Sequence, residues 1–186
     1  MDERSMAEMA ADSKATGMAV LIILIGWAIA GFVGAVVAIN PFTFLASLVF
    51  GALFGVVGLY GVVGLFIWTG ILHILARIFG GVGDYIGLFR TLGVGSVLQW
   101  LMFLALVPFF GAIIQTAIAI WSLVIAVVAV KVVHKLPTGK SAAVVIIPTV
   151  ILLILVLAMM MAIFALVGLS IFAALQGQTV PMPGLA

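Results

Sequence analysis

Five long apolar stretches separated by short polar ones set the pattern of this chain. They run Met18–Ile39, Phe42–Phe79, Leu92–Phe110, Ala112–Val133 and Ala142–Leu175. Each is long enough to cross a hydrocarbon core about 30 Å thick, which takes roughly 17–25 residues of helix. Inside lipid a segment must satisfy its own backbone hydrogen bonds, so these stretches predict helices. A barrel would need alternating apolar and polar residues, and the stretches do not alternate.

Phe42–Phe79 is unusually long, reaching roughly 55 Å as one helix. It reads either as two spans joined near Gly58-Leu59-Tyr60-Gly61 or as one long, tilted or broken helix. Charge separates the two. With one span, all 7 Lys and Arg residues (Arg4, Lys14, Arg77, Arg90, Lys131, Lys135 and Lys140) fall on one side. The opposite side, made of the Asn40-Pro41 turn, Pro108–Gly111 and the tail after Gln176, then carries none. Splitting the stretch sends most of the cations outward, against the positive-inside tendency.

The predicted fold is therefore all-α, a polytopic membrane bundle of five transmembrane helices with a cytoplasmic N-terminus. Residues 1–17 form a short polar cytoplasmic segment, 18–175 the membrane domain, and 176–186 a tail on the far side. The first apolar run is too long for a signal core and lacks a basic start, so it reads as an uncleaved span. Pro148 is expected to kink the last helix.

Composition agrees with this class. Apolar residues make up 67% of the chain, charged residues 6%, and the mean hydropathy is +1.55. Soluble domains carry about 45–50% apolar and about 25% charged residues. The net charge of +2 comes from few groups, so it does not point to nucleic acid. Cysteine is absent, which removes disulfides, thiolate metal sites and covalent haem attachment.

Small residues mark where helices approach closely in lipid. Gly51 and Gly55 make a GxxxG pair, continued by Gly58, Gly61 and Gly64. Gly31 and Gly34 sit near one face of the first span, and Ala158, Ala162 and Ala165 repeat the pattern in the last. Packing within the chain and a homo-oligomer face remain alternatives.

Polar residues are few enough to weigh singly. His73 and Arg77 share a helix face one turn apart. Arg77 is placed to reach headgroups, while His73 sits deeper and needs a partner such as Thr69 or a backbone carbonyl. A haem between His73 and His134 is set aside, because His134 follows Lys131 and is expected outside the hydrocarbon. Gly80-Gly81-Val82-Gly83-Asp84 imitates a phosphate loop but lacks the third glycine and the strand of that motif. The glycines are expected to end one helix, with Asp84 starting a short interfacial helix through Arg90. Gln99, Gln115 and Trp121 are candidate intramembrane polar contacts, with Trp100 also near mid-span. Asp84 is the only acid beyond the N-terminal tail, which argues against proton- or sodium-coupled transport. No nucleophile has a base beside it and no metal-ligand spacing occurs, so no enzyme, cofactor or metal is expected.

The order His73-x3-Arg77, Gly80-Gly81, Phe89-Arg90, Gly111, Trp121, His134, then Lys140, Ser141 and Ala143 resembles the Yip family domain, named for Ypt/Rab-interacting proteins. The resemblance implies about five spans, a cytoplasmic N-terminus, and a histidine and double glycine closing the second span. For eukaryotic members it implies binding of prenylated Rab GTPases and a role in vesicle budding. The proline of the family's third span is missing here, where the chain reads GVGSVLQWL from Gly93, as is the longer N-terminal region of those members. The compact form is more similar to prokaryotic members, which implies the cell membrane.

The leading expectation is a non-enzymatic membrane scaffold or adaptor. Its cytoplasmic face is assigned to His73, Arg77, Gly80, Gly81, Asp84, Arg90, His134 and Lys140. The expected partners are the bilayer, including anionic headgroups, and a protein at that face. Alternatives are a small-solute channel or transporter lined by Gln99 and Gln115, or an accessory subunit of a larger membrane complex.

Overall fold

The computed structural model describes residues 2–37, 44–107 and 111–176, with side chains described over 2–33, 61–104, 106–107 and 111–172. Among the described residues every element is helical: α1 (Glu3–Ala11), α2 (Ala15–Val37), α3 (Phe44–Ile78), α4 (Tyr85–Gly95), α5 (Gly111–His134) and α6 (Thr138–Gln176). A 3₁₀ segment (Ser96–Leu106) continues directly from α4. Five of these helical stretches are long and apolar enough to cross a membrane: Ala15–Val33, Gly61–Ile78, Tyr85–Leu104, Gly111–His134 and Thr138–Phe172. The chain is a five-span, multi-pass helical membrane protein.

The long second stretch is one helix of 35 residues, as the distribution of charge requires. The third span differs from expectation. Instead of an interfacial helix followed by a separate span from Leu92, α4 and the 3₁₀ segment run on from Tyr85 without a break. Asp84 caps its start, accepting the Gly87 amide hydrogen at 2.7 Å. With no proline between Tyr85 and Leu106, the helical winding continues through Gly93 and Gly95.

The N-terminal segment holds a helix that its polarity concealed. Asp2 caps α1 by accepting the Ser5 amide hydrogen at 2.8 Å, and Arg4 pairs with Glu8 one turn on. Its apolar positions do the docking, with Met9 and Ala10 packed against the two apolar clusters of the bundle. Met6 is 1% exposed, and α1 lies against α4 and α5.

The chain divides into two compact units, 1–146 and 147–186. In the first, two apolar clusters flank α4. Leu88 and Leu92 of α4 meet Leu72 and Ala76 of α3, Ala129, Val130 and Val133 of α5, and Val144 and Val145 of α6. Phe89 and Val94 on the other side of α4 meet Ala19, Ile22 and Ile23 of α2. Leu65 of α3 packs against both.

Helices approach closely where side chains are missing. A Cβ on Gly93 would stand 2.5 Å from that of Ala19, and one on Gly26 would stand 3.0 Å from Gln99 Cβ. Gly61 lies directly under the Trp27 indole, with no room for a Cβ between them. Gly31 is buried. Gly34, Gly51, Gly55 and Gly58 lie outside the residues whose side chains are described. The second unit contains the remainder of α6, which has Pro148 within the helix. Ala158, Ala162 and Ala165 are exposed there, as is every residue from 150 to 172. The packing role expected of those alanines is therefore not seen among the described residues.

Candidate functional site

The ends of α3 and α5 and the starts of α4 and α6 build one polar end on the first unit. At the end of α3, the Gly81 amide donates to the Ala76 carbonyl at 2.8 Å and that of Gly80 to Arg77 at 3.0 Å. This pair of bonds is a Schellman turn, which requires a left-handed residue at the position Gly80 fills with φ +92°. The next glycines serve another purpose. Cβ atoms on Gly81 and Gly83 would strike His134 and the Val133 carbonyl respectively. Bare backbone there lets the α3–α4 loop reach the end of α5, where the Val82 amide donates to the His134 carbonyl at 3.1 Å.

The end of α5 makes the same kind of turn, with the Leu136 amide donating to the Lys131 carbonyl at 3.2 Å. Here Lys135, not glycine, takes the left-handed conformation, at φ 53°. Lys140 at the start of α6 then donates to the Phe79 carbonyl at 3.2 Å, closing the site from the other side.

The chain's two histidines meet within this end. His73 Nδ1 and His134 Nε2 are 3.0 Å apart, a hydrogen bond between α3 and α5. His134 is 1% exposed and His73 is half-buried. This corrects the expectation that the two differ in depth. Lys131 had suggested that α5 was already in water at its last turn, but its long stem reaches back to Glu3 of α1. A cation that leans one way does not mark the depth of the residue three positions on. Thr69, the expected partner of His73, is buried with its hydroxyl unpaired among the described residues. The direct ring-to-ring bond also leaves no space for a macrocycle between the imidazoles.

The other candidates divide by exposure. Arg77, Gly80, Asp84 and Lys140 are exposed, whereas Gly81 is buried. Arg90 turns inward, its Nε donating to Thr16 Oγ1 at 2.7 Å and a terminal nitrogen to the Ala10 carbonyl at 3.0 Å. It holds α1 and the start of α2 rather than presenting charge. Glu3, Lys131, Lys135 and Tyr85 belong to this end as well and were not among the residues assigned to that face from the sequence. Tyr85 sets its ring edge-on to His73 at 5.9 Å and donates its hydroxyl to the Phe66 carbonyl at 2.8 Å.

The intramembrane polar residues do not form one path. Gln99 borders a cleft of about 200 Å³ with Trp27, Gly61, Trp68 and Ser96. Gln115 is exposed on α5, and Trp121 is 59% exposed beside a second cleft lined by Met6, Gly95 and Val124. An all-apolar helix has no polar face to fix its rotation, so their outward aim could not be read beforehand. Trp100 donates to the Ile22 carbonyl at 3.0 Å and ties the 3₁₀ segment to α2. Among the described residues no three His, Asp or Glu side chains converge as metal ligands.

Five membrane-crossing helices, with a glycine-rich turn docked on a histidine at one end, define the class as a polytopic helical membrane protein. The family model of the Yip1 domain matches residues 3–160, and the chain belongs to that family. The resemblance to the Yip family is thereby borne out. No curated protein and no solved structure matches the chain.

Proposed function

We propose that this Yip1-family protein is a non-enzymatic membrane scaffold or adaptor, with the cation-bearing end of its bundle turned to the cytoplasm as its working surface. The supporting observation is the convergence of charge. Arg90 is tied to Ala10 and Thr16, Lys131 to Glu3, and Lys140 to Phe79, so cations from α4, α5 and α6 gather with α1 and the end of α3. Positive charge on one side of the spans favours a cytoplasmic placement for that side and, with it, for the N-terminus.

Arg77, Lys135 and Lys140 are exposed cations at the α3–α4 and α5–α6 turns, and Asp84 lies between them in sequence as an exposed acid. A surface of that kind suits a protein partner with complementary charge, lying against anionic headgroups. Affinity capture of the tagged protein from its native membrane in mild detergent tests the reading. The expected result is a stoichiometric protein partner that Arg77→Glu with Lys140→Glu removes while insertion is kept. Full recovery of the same partner with the double variant would overturn it.

A further inference from the structure

The bond between His73 and His134 joins helices 61 residues apart in sequence, and it uses every histidine the chain has. Its proton arrangement follows from the surroundings. His134 Nδ1 is buried with no hydrogen-bond partner among the described residues. A bare lone pair is tolerated there better than a stranded N–H. His134 therefore carries its hydrogen on Nε2 and donates it to His73 Nδ1, while His73 carries its own on Nε2.

In this closed arrangement neither ring has a ready place for another proton. The Nδ1 lone pair of His73 already accepts a hydrogen, and that of His134 faces no group that could receive an N–H. Protonating both rings would set two N–H groups against each other across 3.0 Å. The charged groups facing the pair are Arg77 from α3 and Asp84 from the loop. Tyr85 of α4 offers only its ring edge to His73. Lys131 of α5 is occupied by Glu3 of α1, Lys135 follows in the turn, and Lys140 of α6 is bound to Phe79. The single facing carboxylate, Asp84, is engaged with the Gly87 amide.

What the pair holds shut is the polar end itself. His134 also supplies the carbonyl for Val82 and the surface on which Gly81 rests. We infer that the His73–His134 pair is a proton-operated latch, closed while both rings are neutral and opened when both are protonated. Opening separates the end of α5 from α3 and from the glycine loop. Once the rings separate and meet water, each has a free ring nitrogen that can take a proton. The open state then binds more protons than the closed one, so acid favours opening by linkage. The latch acts within the bundle and requires no partner.

The absence of cysteine lets two nitroxide labels be placed, at the exposed positions Ile78 and Lys135, in the full chain reconstituted in phosphatidylcholine nanodiscs. Their separation is read by pulsed electron resonance between about pH 8 and about pH 5. The expected result is a longer-distance population that grows with acid, by up to about tenfold per pH unit for each proton taken up. His73→Gln should make that response shallower, with one proton taken up on opening instead of two. A constant distance across the range, or an unchanged transition in His73→Gln, overturns the latch.

Should that variant not insert, ¹⁵N-histidine labelling of the unmodified chain decides the matter. The expected spectrum shows a nitrogen–nitrogen coupling between the two rings in neutral solution, lost as both become protonated. Absence of the coupling in neutral solution, or its survival after both rings are protonated, also overturns the proposal.

Discussion

A Cβ placed on Gly81 would stand 2.8 Å from the Cβ of His134, so the loop between α3 and α4 meets the end of α5 with no side chain between. Gly81→Ala should therefore push the loop off α5 and cost about 1–3 kcal/mol, the range for overpacking a tight contact. Gly139 has open space where its Cβ would be, and its alanine variant is the control. Comparing their unfolding in detergent or bicelles checks this; equal stability of the two variants would contradict the contact.

Lys135 spends conformational energy that glycine would not. A left-handed L-residue costs roughly 1–2 kcal/mol, and Lys135 sits at φ 53° in an otherwise ordinary helix-ending turn. Lys135→Gly should raise stability by about 1 kcal/mol, less the entropy that glycine adds to the unfolded chain. A stability below that of the parent protein would show that the lysine ammonium matters more than its backbone.

Trp27 occupies the space above Gly61. Gly61→Ala should be destabilising alone and much milder combined with Trp27→Ala, because the second change empties the space the methyl needs. A double-mutant cycle reads the coupling, expected at about 0.5–3 kcal/mol. Simple additivity would rule the contact out.

Arg90 fastens α1 through the Ala10 carbonyl and the Thr16 hydroxyl. Arg90→Ala should speed proteolysis and amide exchange across residues 3–11, while Arg77→Ala, at an exposed position, should leave both unchanged. Equal protection of α1 in the two variants would refute this.

Acid should loosen α1 from its start. The Asp2 carboxyl is held below the usual carboxylate range, chiefly by its side-chain hydrogen bond with Ser5. A lowered value in the folded protein means that the cap stabilises α1 above the ordinary aspartate value and is lost as pH falls through the lowered one. The Ser5 amide resonance followed into acid reports the loss, and Asp2→Asn should remove most of that pH dependence.

Much of the architecture is legible because lipid constrains it. Apolar length located the spans, and one-sided charge separated one long second helix from two short ones. Gly80 and Asp84 announced the turn through their own conformational preferences. Other features had no such signal. The cap, ion pair and buried apolar anchor of α1 were present as Asp2, Arg4–Glu8 and Met6, but the polar remainder hid them. Gln115 and Trp121 lie on a helix apolar on all sides, where nothing in the sequence fixes rotation. The meeting of His73 with His134 depends on how far α5 extends past Lys131, and a single flexible cation gave a misleading depth.

The 3₁₀ winding of Ser96–Leu106 changes how far this span reaches. At about 2.0 Å per residue its 11 residues cover about 22 Å, against about 16 Å at the 1.5 Å rise of an α-helix. Each residue that passes between the two windings alters the span by about half an ångström, with no change in sequence and no broken chain. The reach of the third span is thus set by the point along it, at Gly95–Ser96, where the α winding gives way to the tighter one.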